Sequence, residues 1–218
     1  MGELILCSHP IAAMPYYIDN ISLNVYSLEE LCYYIENHLY LIEADFMSEE
    51  LCLWIGQELD EKDLAQSLRS VLLGNGSLSD FTELILRSCG YCSEDTIRHI
   101  RSVLLDMQNK SVFECSKIRA DRYMESEKYV KAIHEYRKLL GMEEECKKNP
   151  VLEGNIRHNL GTACAELFLF DEAAANFLNA YRLNQNRESL AACMAACRLA
   201  KKTDILKKYK EEFPVSDE

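Results

Sequence analysis

Cys89-Gly90-Tyr91-Cys92 is the short stretch of this chain best equipped for covalent chemistry. Two cysteines separated by two residues can exchange a disulfide, and a helix that starts at the pair lowers the pKa of the first thiol. Ser93 supplies such a helix start. The motif nevertheless follows an amphipathic helical stretch, FTELILRS, and not the strand of a βαβ redox unit, and no later strand with a Thr-Pro type loop appears. A zinc site would need four ligands, so Cys89 and Cys92 would have to recruit His99 or the helical pair Cys193 and Cys197, and no second CxxC exists. His9, His38, His99, His134 and His158 are scattered without an HExxH spacing, and neither a GxSxG turn nor a phosphate-cradling Gly-rich loop occurs. The expectation is a protein without catalytic, metal or cofactor chemistry.

The elements that would position any site are helices. With 8 Gly and 4 Pro in 218 residues, long helices with short connections are favoured, because both residue types disfavour helix interiors. The predicted class is all-α, with a small N-terminal β element allowed. Ten cysteines fall mostly inside apolar helical patterns, as Cys32, Cys52, Cys164, Cys193 and Cys197 do, and read as small buried hydrophobes in a reducing cytoplasm. The N-terminus MGELILCSHP has no basic region ahead of its short apolar run, Leu6 stands where a myristoylation signal needs Ser or Thr, and no stretch approaches a membrane span.

Charge is divided unevenly. Residues 1–110 hold 18 acidic and 6 basic side chains, whereas residues 111–218 hold 18 of each. An acidic half repels phosphate, which argues against nucleic acid and anionic membrane as partners and leaves a solvated face or a docking surface for a basic protein.

Along the chain, Leu4, Ile5 and Leu6, then Tyr16, Tyr17, Ile18, Ile21, Leu23 and Val25, predict one or two short strands. Ser27 with Glu30 predicts a capping box that opens a helix along Leu28, Leu31, Ile35, Leu39 and Ile42. Ser48 opens the next helix, and another runs from about Asp60 to Leu73, ended by Gly74-Asn75-Gly76. Ser79 and Ser93 cap the last two helices of this half. Six tyrosines between Tyr16 and Tyr40 provide either core or a partner surface.

The second half repeats itself at an offset of 41 residues: Ala120, Tyr123, Tyr129, Ala132 and Tyr136 align with Gly161, Cys164, Phe170, Ala173 and Phe177. Small residues let two helices approach closely, and large ones fill the space between neighbouring pairs. The stretch GMEEECKKNPVLEG accounts for the extra length as a longer helix end or loop near Pro150, and Ala195 takes the small position in a third, incomplete unit. In this order of small and aromatic residues the segment resembles tetratricopeptide repeats (TPR). The resemblance implies antiparallel helix hairpins at about 113–140 and 155–183 with a degenerate cap at 188–213, stacked as a short right-handed solenoid. The expected domains are 1–92 and 93–218.

The resemblance further implies a groove lined by the first helix of each hairpin: Glu114, Lys117, Asp121, Met124 and Glu125, then Asn155, His158, Asn159, Thr162, Ala165 and Glu166. Lys117 and Asn159 match the clamp with which some members hold a C-terminal carboxylate. Asp121, Ser189 and Cys193 do not. The functional expectation is a cytoplasmic adaptor or scaffold that binds a protein or peptide segment in this groove. The alternatives are a peptide-responsive regulatory sensor and a thiol-disulfide oxidoreductase built on Cys89 and Cys92. Oligomeric state is left open.

Overall fold

The computed structural model describes residues 9–213, apart from the side chains of Leu206 and Lys210; Leu4, Ile5 and Leu6 lie outside that range. Its described residues are mostly helical, and no helix is long and apolar enough to cross a membrane. The chain divides after Lys110 into two units. That boundary differs from the expected 92/93, because the helix capped by Ser93 packs on the helix before it.

In the first unit β1 (Tyr16–Ile18) and β2 (Leu23–Val25) form an antiparallel hairpin, with Tyr16 opposite Val25 and Ile18 opposite Leu23. Five helices follow: α1 (Leu28–Asn37), α2 (Glu49–Gln57), α3 (Lys62–Leu73), α4 (Leu78–Ser88) and α5 (Glu94–Gln108). The Ser27 hydroxyl accepts from Glu30 N–H at 3.2 Å, but the Glu30 carboxylate closes on Tyr26 N–H at 2.6 Å, one residue before the expected partner. The apolar stripe is also shorter than expected: α1 ends at Asn37, and Leu39–Leu41 form a 3₁₀ turn. The cap of α4 is Ser77 with Asp80, not Ser79, which is buried inside the first turn. Ser48 and Ser93 cap α2 and α5 as expected.

The core of this unit gathers Leu28, Leu31 and Ile35 of α1, Leu51 and Ile55 of α2, Leu68 of α3, and Phe81 and Ile85 of α4, all fully buried. The tyrosines divide: Tyr34 is fully buried and its hydroxyl accepts from Asn20 Nδ2 at 2.7 Å, whereas Tyr17 and Tyr33 are more than half exposed.

The second unit holds α6 (Val112–Glu125), α7 (Tyr129–Leu140), the short α8 (Glu143–Lys148), α9 (Pro150–Glu166), α10 (Phe170–Asn184), α11 (Arg187–Leu199) and α12 (Thr203–Glu212). The extra length between the repeats is a separate helix, not an extension. Cys146 of α8 is buried, and Asn149 then caps α9 with Pro150 in its first position. Helices α6 and α7, α9 and α10, and α11 and α12 pack as pairs, and α7 packs on α9 and α10 on α11.

One turn recurs within these pairs. Glu127, Phe168 and Lys201 adopt left-handed backbone, with φ of 58°, 61° and 57°. In each case the next N–H reaches back into the preceding helix: Lys128 to Tyr123 at 2.8 Å, Leu169 to Cys164 at 2.9 Å and Lys202 to Cys197 at 2.9 Å. This satisfies carbonyls that a helix end leaves bare and reverses the chain within a few residues. The α2–α3 connection is closely similar, with Asp60 at φ 56° and Glu61 N–H on Ile55 O at 3.1 Å. Ala65 is the fourth residue of α3, as Ala132 is of α7 and Ala173 of α10, and all three are buried. The first unit therefore contains a hairpin of the same local form, which the 41-residue comparison does not reach.

Eight of the ten aligned positions are buried; Tyr129 and Phe170, at the turns, are half-exposed. The α9–α10 crossing is close. A Cβ on Gly161 would meet the Phe177 ring at 2.8 Å, and one on Gly154 would meet Asn184 Cβ at 2.9 Å. Ala195 is exposed, against expectation, because α11 turns Cys193, Ala196 and Cys197 inward instead.

Gly161→Ala and Ala173→Leu are each expected to destabilise the second unit by about 1–3 kcal/mol through overpacking. Ala195→Leu should change stability by less than about 0.5 kcal/mol. Urea unfolding measures all three, and an unchanged midpoint for Gly161→Ala contradicts the described crossing.

Candidate functional site

Helix α6 brings Lys117 and Asp121 to one face, four residues apart, where the ammonium and carboxylate form an ion pair. The same carboxylate accepts from the Tyr136 hydroxyl of α7 at 2.7 Å and from Asn159 Nδ2 of α9 at 3.3 Å. Asn159 Nδ2 also lies 3.3 Å from the Tyr136 oxygen. Three side chains, one each from α6, α7 and α9, thus converge on Asp121. Its two oxygens accept from a cation and two neutral donors.

Burial and the neighbouring Asp121 push the Tyr136 hydroxyl well above its ordinary pKa, so it stays protonated and acts as a donor. A second bridge starts from the preceding residue of α9, where His158 Nδ1 and the Ser189 hydroxyl of α11 are 2.9 Å apart. The His158 ring also rests against Phe177, with centroids 5.2 Å apart. Burial lowers the pKa of His158 below its ordinary 6.5. The first helices α6, α9 and α11 are therefore tied in sequence by Asp121–Asn159 and His158–Ser189.

Of the groove residues expected from sequence, Lys117, Asp121 and Asn159 are brought together, but by contacts with one another. Glu114 is occupied as the carboxylate of the α6 capping box, accepting from Ser111 N–H at 2.9 Å. Glu125 pairs with Arg122 of its own helix at 2.6 Å. Asn155 accepts from Asn184 of α10 at 3.1 Å, and Thr162 donates to the His158 carbonyl at 3.2 Å. Met124 and Ala165 are half-buried, and Glu166 is exposed. Tyr136 was legible only as an aromatic of the repeat; its role at Asp121 depends on a 15-residue separation across a hairpin.

The clamp match fails in detail. Lys117 is already neutralised by Asp121, and Ser189 and Cys193 are fully buried and cannot reach a ligand. A terminal carboxylate would have to enter beside Asp121 without a free cation to receive it.

The CxxC motif occupies the α4–α5 connection. Cys89 ends α4 and does not begin a helix, and Gly90 follows in left-handed backbone with φ 65°. The sulfur beside Cys89 is Cys32 of α1, at 3.2 Å. Among the described residues no group of three or more His, Cys, Asp or Glu is placed to hold a metal ion. Comparison with protein-family models, curated proteins and solved structures finds no match for this chain.

Two histidines should titrate in opposite directions. His9 hydrogen-bonds the buried Glu29 carboxylate at 2.9 Å, which raises its pKa above 6.5, while burial lowers that of His158. His9 therefore adds stability that is present below pH 6.5 and is lost as pH rises through its higher folded value. For His158 the unfolded chain takes up the proton first, so its contribution weakens as pH falls below 6.5. NMR titration of the two ring resonances should give midpoints on either side of 6.5, and midpoints in the reverse order contradict the described environments.

Proposed function

We propose that residues 111–213 form a short right-handed solenoid of TPR-like hairpins that binds a segment of another protein across α6, α9 and α11, in an adaptor or scaffold role without catalysis. The observation that carries this reading is the pair of bridges, Asp121–Asn159 and His158–Ser189, which link the first helix of each hairpin to the next. Side chains on linked first helices make a continuous wall, and a rigid wall binds an extended segment at a smaller entropic cost than a mobile one. The nine described cysteines are free, which supports a reducing, cytoplasmic setting.

The chemistry of the ligand follows from what the wall leaves exposed. Glu166 and Glu188 face solvent, Glu125 is exposed but paired with Arg122, and Lys117 is spent on Asp121. A segment carrying Lys or Arg would find carboxylates, and the half-buried Met124 offers an adaptable apolar contact.

An extended peptide containing arginines should shift NMR signals of α6 and α9, and the same peptide with glutamates in their place should not. Charge reversal at both Glu125→Lys and Glu166→Lys should weaken binding about tenfold, equivalent to ~1.4 kcal/mol, with thermal stability close to the parent. Shifts confined to the first unit, for example around Tyr17 and Tyr33, or equal binding of the glutamate peptide, would exclude this reading.

A further inference from the structure

The first unit holds a thiol pair that sequence spacing does not reveal. Cys32 lies in the middle of α1, fully buried, and Cys89 lies 57 positions later at the end of α4. Their sulfurs are 3.2 Å apart, inside the distance of ordinary non-bonded sulfur contact. A disulfide needs roughly 2.05 Å, so the remaining approach is about one ångström. The two sides are unequal in freedom. Cys32 is fixed in a packed helix with its sulfur also 3.6 Å from the Ile85 carbonyl, whereas Cys89 is half-exposed and followed by an exposed Gly90. A Cβ built on Gly90 would meet nothing within 4 Å.

We propose that Cys89 and Cys32 form a reversible disulfide under hydrogen peroxide, which makes the junction of α1 and α4 a redox-modification site. In the first step the Cys89 thiolate attacks the peroxide. A sulfur–oxygen bond forms, the oxygen–oxygen bond breaks, and hydroxide leaves, taking up the proton that Cys89 has released. The product is a sulfenic acid. In the second step the Cys32 sulfur attacks that of Cys89; a sulfur–sulfur bond forms, the sulfur–oxygen bond breaks, and water leaves with the Cys32 proton. Two thiols are oxidised to one disulfide, and one peroxide is reduced to two waters. A dithiol reductant reverses the change.

The surroundings assign the roles. The Cys89 pKa is lowered to about 7, because the Cys32 thiol and the Tyr91 N–H donate to its sulfur and His9 adds a favourable charge, against burial and Glu29. Cys32 shows the reverse: its hydrogen bond to Cys89 and its burial keep it protonated. The Cys32 thiol stands within reach of two acceptors, the Ile85 carbonyl at 3.6 Å and the Cys89 sulfur at 3.2 Å. Cys92, pushed up to about 12 by burial and Glu36, is a poor nucleophile. The pair that the CxxC spacing suggests is therefore not the pair that reacts.

The test uses the full chain, treated with a slight excess of hydrogen peroxide at pH 7, blocked by alkylation and mapped by mass spectrometry. The expected product is a Cys32–Cys89 linked peptide, restored to two free thiols by dithiothreitol. With Cys32→Ser, Cys89 should accumulate as a sulfenic acid that dimedone traps; with Cys89→Ser, Cys32 should remain reduced. Alkylation of Cys89 in the parent protein should run about tenfold faster at pH 7 than that of a free cysteine peptide, since an ordinary thiol of pKa about 8.5 is only ~3% ionised there. A Cys89–Cys92 link, or linkage of Cys32 only after unfolding, overturns the proposal. The parent-protein map decides the question even if a variant fails to fold.

Discussion

The close crossing of α9 and α10 is the constraint on which the second unit depends. Gly161 lies against the Phe177 ring and Gly154 against Asn184, with no room for a methyl group at either point. This approach carries Ala173 and Ala180 into full burial and seats α10 where α11 can pack on its other side. It also fixes His158, because the ring that touches Phe177 is the ring that meets Ser189. Packing and one part of the polar surface are thus a single arrangement: spread α9 from α10 and the His158–Ser189 bridge loses its geometry.

The polar groups illustrate how a site can be present as residue types and yet differ in use. Lys117 and Asn159 stand where ligand-binding residues were expected, but Asp121 draws both inward together with Tyr136. Removing one partner would leave the others partly buried and unsatisfied, a cost of about 1–3 kcal/mol, which makes the network a structural tie between helices. On the proposed reading, the exposed Glu166 and Glu188 would favour a cationic segment over a terminal carboxylate.

Much of the fold was legible because local signals and packing agree. Ser48 and Ser93 cap where a hydroxyl precedes an apolar helical pattern, and the small residues of the 41-residue repeat are all buried. The failures have identifiable causes. Ser77 and Ser79 flank the same helix start, and Asp80 decides between them by closing on the backbone of Ser77. Ala195 lies beside Ala196 in an alanine-rich helix, where a shift of one residue moves a side chain from core to solvent. The α2–α3 hairpin escaped because the 41-residue self-alignment does not reach it, and its turn residue Asp60, like Glu127, Phe168 and Lys201, gives no Gly signal. The contacts Asp121–Tyr136 and Cys32–Cys89 span 15 and 57 positions and arise only once helices are docked.

The central claim is that the first helices of successive hairpins lie side by side as one polar wall. A NOESY spectrum of the free protein measures this directly. The expected result is cross-peaks from the Asn159 side-chain amide to the Tyr136 ring and from the His158 ring to both Phe177 and Ser189, all in a single folded species. A fully helical protein in which the Asn159 and Ser189 contacts are missing would contradict it.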